Sequence, residues 1–159
     1  DMKRWAFHSQ LYFITHKFRI HQELDQARHK TTVVQDRTIF EDAEIFATYL
    51  KRRGFINKRD WAVYEDLYHL ILNAIEPPDL IIYLKASLRT IRKRIQIRGR
   101  PEEQNMPVTY LRSLNKLYEA WRVSYKRSPM IVVDTEQLDY LTDLVHRIDV
   151  IKTIEKYIS

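Results

Sequence analysis

The sequence predicts an α/β fold, a parallel sheet with helices packed on its faces. Three observations predict it. Short β-branched or aliphatic runs recur at residues 31–35, 79–84 and 130–133. Helical periodicity separates each run from the next, which makes βαβ units and parallel pairing. The run DLIIYL at 79–84 is continuously apolar, as in a strand covered on both faces.

Each element has a local reason. Residues 2–28 form one long helix, because Phe7, Leu11, Ile14 and Phe18 recur at helical spacing without a breaker. TTVVQ at 31–35 is a strand. Thr38 and Glu41 form a T-x-x-E capping box that opens a helix over 39–53, and Gly54 closes it. Asn57 caps a helix carrying Trp61, Tyr64, Leu67, Tyr68 and Ile71, which stops before Pro77 and Pro78. After the strand at 79–84, Ser87 caps a basic helix that ends near Gly99. Pro107 opens the next helix, with Leu111, Leu114, Tyr118, Trp121 and Tyr125 on one side. MIVV at 130–133 is a third buried strand, and a last helix covers 138–157. No repeat or linker interrupts the chain, so residues 1–159 read as one domain. Three strands are few for six helices, so one or two further strands are expected from a segment N-terminal to Asp1.

Composition narrows the chemistry. The chain has 27 basic and 21 acidic residues, a net charge of +6 that suits a polyanionic ligand. Arg89, Arg92, Lys93, Arg94, Arg98 and Arg100 crowd into one stretch, which favours a small phosphate ligand over a broad nucleic-acid surface. No stacking-platform motif accompanies the basic strip, so nucleic acid is not the expected partner. No segment approaches the apolar length of a membrane span. The chain has no cysteine, which excludes thiolate metal sites and suits a reducing, cytoplasmic setting. The six histidines lack metal-site spacing. The two glycines, Gly54 and Gly99, leave no GxxxxGK[ST] loop in these residues.

Three constellations carry chemistry. In VVQDRTIFED, Thr38 and Glu41 have a capping role, but Asp36 and Arg37 do not. At the carboxyl end of a parallel strand they suit proton removal beside a migrating phosphoryl group. In RIQIRGRPEE, helix capping explains Gly99 and Pro101. It leaves Arg94, Arg98 and Arg100 as a guanidinium clamp for phosphates, with Glu103 placed to accept a sugar hydroxyl. On the first helix, Gln10 can present an amide to a base edge, with Lys17 two turns on and Phe46 as a stacking face.

Together KRWAFHSQLYF, DRTIFEDAEIFA, PDLIIYL and RIQIRGRPEE resemble the deoxyribonucleoside kinase family, in particular its bacterial deoxyadenosine/deoxyguanosine kinase branch. The resemblance spans nearly the whole chain in motif order. It implies a P-loop kinase-type three-layer fold, with a parallel sheet of five strands when complete and helices on its flanks. By the same resemblance Asp36 is the general base for the sugar 5′-hydroxyl and Arg37 contacts the transferred phosphate. Gln10 reads the base, Asp42 lies beside it with Lys17 as its partner, and Phe46 stacks on it. Arg94, Arg98 and Arg100 are lid arginines over the ATP phosphates, and Glu103 binds the 3′-hydroxyl. A loop near residues 134–140 holds the adenine of ATP. Ala43, where an arginine often follows the acidic residue, together with an aspartate, Asp36, at the general-base position, points to the bacterial purine branch.

The implied cofactors are ATP and Mg²⁺. The magnesium ligand, the phosphate-binding loop and a sugar-contacting tyrosine are expected before Asp1, so this chain alone should not turn over. The implied activity is 5′-phosphorylation of deoxyadenosine and/or deoxyguanosine in nucleotide salvage. The alternatives are a kinase for pyrimidine nucleosides or nucleoside monophosphates, and a non-catalytic dimerising module. A homodimer through helix faces, including the Trp121 face, is expected.

Overall fold

The computed structural model describes residues 1–136 and 144–158. The chain divides into two compact units, Asp1–Glu76 and Pro77–Ser159, and each is taken by itself.

The first unit is helical. α1 (Met2–Arg28) starts at Asp1, whose carboxylate accepts the Arg4 backbone N–H at 3.1 Å. Its buried residues Ala6, Gln10 and Ile14 recur every four positions, the spacing of one helix face. α2 (Ile39–Glu41) opens at Thr38, whose backbone N–H donates to the Glu41 carboxylate at 2.7 Å. A π-helical turn (Asp42–Ala47) follows, and then α3 (Thr48–Arg52). α4 (Lys58–Ala74) is capped by Asn57, whose side-chain oxygen accepts the Asp60 N–H at 2.9 Å. Ile14, Ile39, Phe40 and Ile45 are buried to 1% exposure or less. Ala6, Leu50 and Ile56 form a cluster covered by Phe7, Tyr49, Phe55 and Trp61. Each large apolar side chain so removed from water stabilises the unit by about 1.5–3 kcal/mol.

Two expectations change here. Residues 31–35 form no strand, and Val34 is 90% exposed. β-branched residues favour extended backbone, but a strand also needs a hydrogen-bonding neighbour and a buried face. Asp36 and Arg37 therefore follow a segment outside the described sheet rather than a sheet edge. The helix expected over 39–53 is interrupted by the π turn, in which the Thr48 hydroxyl donates to the Ala43 carbonyl at 3.1 Å.

The second unit is built on two parallel strands, β1 (Ile81–Lys85) and β2 (Met130–Asp134), in register from Ile81↔Met130 to Lys85↔Asp134. α5 (Leu88–Arg98) ends at Gly99, which adopts the left-handed conformation (φ 71°) natural to a glycine C-cap. α6 (Pro101–Gln104) is a single turn that starts at the proline expected to block continuation. α7 (Val108–Ser124) buries Leu117 and Trp121, and the Tyr83 hydroxyl ties β1 to it through Glu119 at 2.9 Å. α8 is described over Leu144–Ile158. The first part of the helix expected over 138–157, and most of the adenine loop expected near 134–140, lie outside the described residues.

The described sheet thus has two strands rather than three, and they are not covered on both faces: Leu84 and Val132 are 53% and 45% exposed. The Trp121 face expected to drive dimerisation is internal. Trp121 is 4% exposed and packs on Tyr118 and Tyr125. The exposed large apolar side chains include Trp5, Tyr12 and Phe13 on α1 and Leu70 on α4. Among the described residues, no helix is long and apolar enough to cross a membrane.

Candidate functional site

The site in the first unit is organised around the turn at Asp36 and Arg37. Arg37 adopts a left-handed backbone (φ 61°), the one non-glycine among the described residues to do so. That conformation costs a residue with a Cβ about 1–2 kcal/mol, so surrounding contacts have to hold it. Two do. The Lys17 ammonium reaches from α1 and donates to the Arg37 carbonyl at 3.0 Å and the Asp36 carbonyl at 3.4 Å. The Arg37 guanidinium lies 5.3 Å from the centroid of the Phe46 ring. Both side chains of the pair remain exposed, so an acid and a cation face outward from a fixed turn.

Lys17 was expected to pair with Asp42. Its hydrogen bonds go to the turn's main chain instead, and it acts on Asp42 through charge. Phe46 was expected to stack on a base, and its half-buried ring lies under Arg37.

Asp42 opens the π turn. Burial pushes its carboxyl above the usual carboxylate range, Lys17 opposes that, Glu41 adds to it, and Arg37 opposes it. Its Oδ2 is buried without a hydrogen-bond partner. The same is true of Gln10 Oε1, on a residue 6% exposed, and of the Tyr64 hydroxyl on α4. Burial first, and then the Asp42 charge, push the Tyr64 hydroxyl pKa upward, so it stays protonated and able to donate. α1 and the π turn pack together, which brings Gln10 and Asp42 onto facing elements. A buried polar atom without a partner costs about 1–3 kcal/mol. Three of them, Gln10 Oε1, Asp42 Oδ2 and the Tyr64 hydroxyl, lie in this one unit.

Tyr64 escaped the sequence reading because its spacing is that of a core residue. The available signal was its hydroxyl, which needs a partner when buried. The π turn that carries Asp42 and Phe46 left no readable pattern. Such turns recur at functional sites because they re-aim side chains within a helix.

The second unit holds the other predicted residues. Arg94 donates to the Thr135 hydroxyl at 2.9 Å and also to the Thr135 carbonyl. Thr135, 1% exposed, in turn donates its N–H and its hydroxyl to the Lys85 carbonyl, each at 2.8 Å. Arg94 therefore pins α5 to the carboxyl end of the sheet, a positioning role beside the phosphate role expected of it. Arg98 and Arg100 converge on Glu103: Arg98 Nε donates at 3.0 Å, and Arg100 Nη1 lies 3.5 Å away.

Glu136, also missed from sequence, closes the start of α5. It accepts the Ser87 N–H and the Ser87 and Thr90 hydroxyls, all at 2.7 Å. The Ser87 N–H, then the Thr90 and Ser87 hydroxyls, hold its carboxyl at about 2. A depressed folded-state pKa contributes stability above the ordinary carboxylate range, and that contribution is lost as pH falls through about 2. Glu136→Gln should therefore lower the melting temperature by a constant amount at neutral pH, and acid melts should show the gap to wild type closing toward pH 2.

Among the described residues, no three acidic or histidine side chains converge on a metal position. A magnesium ion entering with a nucleotide would be held mainly by phosphate oxygens and water, the usual habit of that ion.

The deoxynucleoside kinase family model matches residues 1–159. A deoxyadenosine/deoxycytidine kinase of Bacillus subtilis is 33% identical over 145 residues, covering 90% of this chain and 66% of that protein. A deoxyadenosine kinase of Lactobacillus acidophilus is 32% identical, covering 98% of this chain and 75% of that protein. The chain therefore spans about two thirds to three quarters of the length of these relatives. Among solved structures, M. mycoides deoxyadenosine kinase with bound dATP superposes with a TM-score of 0.78 at 29% identity, over 98% of this chain and 77% of that one.

Proposed function

The chain belongs to the deoxynucleoside kinase family, and from that premise we propose that it serves ATP-dependent 5′-phosphorylation of a purine deoxyribonucleoside. The carrying observation is the pair of buried, unpartnered acceptors Gln10 Oε1 and Asp42 Oδ2. An adenine edge offers an exocyclic amino group to the Gln10 carbonyl and a ring nitrogen to its amide. Asp42, whose carboxyl pKa is raised by burial above the usual carboxylate range, and the Tyr64 hydroxyl complete a set of donors and acceptors around the base. Ala43 is small and buried beside Asp42, which suits the larger ring system.

At the sugar end, Asp36 takes the proton of the 5′-hydroxyl and Arg37 neutralises the developing phosphoryl charge. Phosphoryl transfer needs mainly positioning and charge stabilisation, and a turn fixed by Lys17 supplies both. Phe46 holds the Arg37 guanidinium in place and offers an apolar ring beside the sugar and base. Arg98 and Arg100 take the donor's phosphates, Arg94 positions their helix, and Glu103 receives the 3′-hydroxyl. ATP would supply the phosphoryl group, and magnesium, when bound, would screen its charge. The whole of residues 1–159 works as one kinase domain in a cytoplasmic homodimer, for which Trp5, Tyr12 and Phe13 on α1 and Leu70 on α4 are exposed apolar candidates.

Asp36→Asn in the full-length protein tests the sugar end. The variant should bind nucleoside normally and lose about 10²–10⁴ in kcat, the usual contribution of a general base. Near-normal turnover would remove the proton-acceptor role. Recovery of activity by raised manganese would instead make Asp36 a metal-holding carboxylate.

A further inference from the structure

We infer that the outer side of α5 and the start of α7 form a second anion site, for a small ligand bearing two or more phosphate groups. A groove of about 700 Å³ lies there. Its cationic lining is Arg89, Arg92 and Lys93 from α5 and Arg112 from α7.

The groove is separate from the lid arginines. At about 100° of rotation per residue, Arg89, Arg92 and Lys93 share one side of α5, while Arg94 and Arg98 lie on the other. Those two are already engaged, with Thr135 and Glu103 respectively. The side chains of the four groove cations make no hydrogen bond or ion pair among the described residues. Glu136, the one acidic group in the lining among the described residues, is committed to Ser87 and Thr90 at the start of α5.

Arg92 and Lys93 stand three and four residues from Arg89, the spacing at which like charges on a helix repel. α5 buries no residue, so packing does not explain why these cations are gathered. A bound polyanion relieves the repulsion, and guanidinium groups suit phosphate through paired donors.

The lining also selects among polyanions. Among the described residues the lining holds no aromatic side chain, so these offer bases no stacking face and single-stranded nucleic acid gains only its backbone charge from them. Gln96 adds an amide donor within the groove, and Leu88 and Val108 supply its apolar part. That composition fits a compact oligophosphate, or the phosphate end of a nucleotide. The site stands independently of the proposed kinase reaction.

The test is a titration of the full-length protein with inorganic tripolyphosphate, followed through the methyl NMR signals of Leu88 and Val108. Saturable shifts are expected, with affinity at least tenfold weaker in Arg92→Gln/Arg112→Gln and unchanged in Arg98→Gln. ATP is the second probe: tighter binding than tripolyphosphate assigns the site to a nucleotide, and equal binding to the phosphate chain alone. Absent shifts, shifts that survive the double substitution, or tighter binding of a twelve-residue oligothymidylate would each overturn the proposal. Folding is checked by melting Arg92→Gln alone. Relief of repulsion should raise its melting temperature at low salt, and the gain should fade at high salt; a lower melting temperature at low salt contradicts the repulsion argument.

Discussion

Arg37→Gly should abolish most catalysis while leaving the protein about as stable as before. The glycine accepts the left-handed backbone at residue 37 without a Cβ clash, a gain of about 1 kcal/mol. Loss of the guanidinium from the Phe46 ring removes about 0.5–1 kcal/mol, so the two changes nearly cancel. The reaction loses a preorganised cation at the migrating phosphoryl group, which corresponds to about 10²–10³ in kcat. Thermal melts and initial rates on the same preparation separate the two effects. Normal turnover would show that the strained turn serves something other than the phosphoryl group. A large drop in stability would show that the arginine is a structural clamp.

Gln10→Leu should move stability and activity in opposite directions. The substitution keeps a similar volume and removes a buried carbonyl that has no partner, so the free protein gains about 1 kcal/mol. The base loses its paired amide contacts, worth about 1–3 kcal/mol, and kcat/KM for the nucleoside falls by about 10–10²-fold. Opposite signs are characteristic of a residue kept for function at a cost in stability. If the variant is instead less stable and its KM is unchanged, Gln10 is an ordinary core residue.

What could be read from sequence divides along physical lines. α1, α4, α5 and α7 were legible from apolar periodicity, from a local start or stop signal such as Asn57, Ser87 or Gly99, or from both. The segment at 31–35 misled because β-branching reports backbone preference and not whether a partner strand is present. The π turn was invisible because the 3.6-residue pattern continues almost unbroken through Asp42–Ala47.

Within the candidate site, the partners of the predicted residues were not readable from residue type. Lys17 was expected beside Asp42, yet it fastens the carbonyls of residues 36 and 37. Arg94 was read with Arg98 as one clamp, yet a buried threonine 41 residues away claims it. Thr135 and Glu136 act through contacts distant in sequence, and nothing in their local pattern distinguishes them from core or surface residues.

The most direct measurement is competition among deoxynucleosides for phosphate from labelled ATP, with the full-length protein and the products resolved as 5′-monophosphates. Deoxyadenosine or deoxyguanosine should carry the label at least tenfold faster than deoxycytidine or thymidine. Faster labelling of a pyrimidine nucleoside, or of a nucleoside monophosphate, would contradict the assignment of Gln10, Asp42 and Tyr64 to a purine. No labelling of any nucleoside would contradict the kinase reading itself.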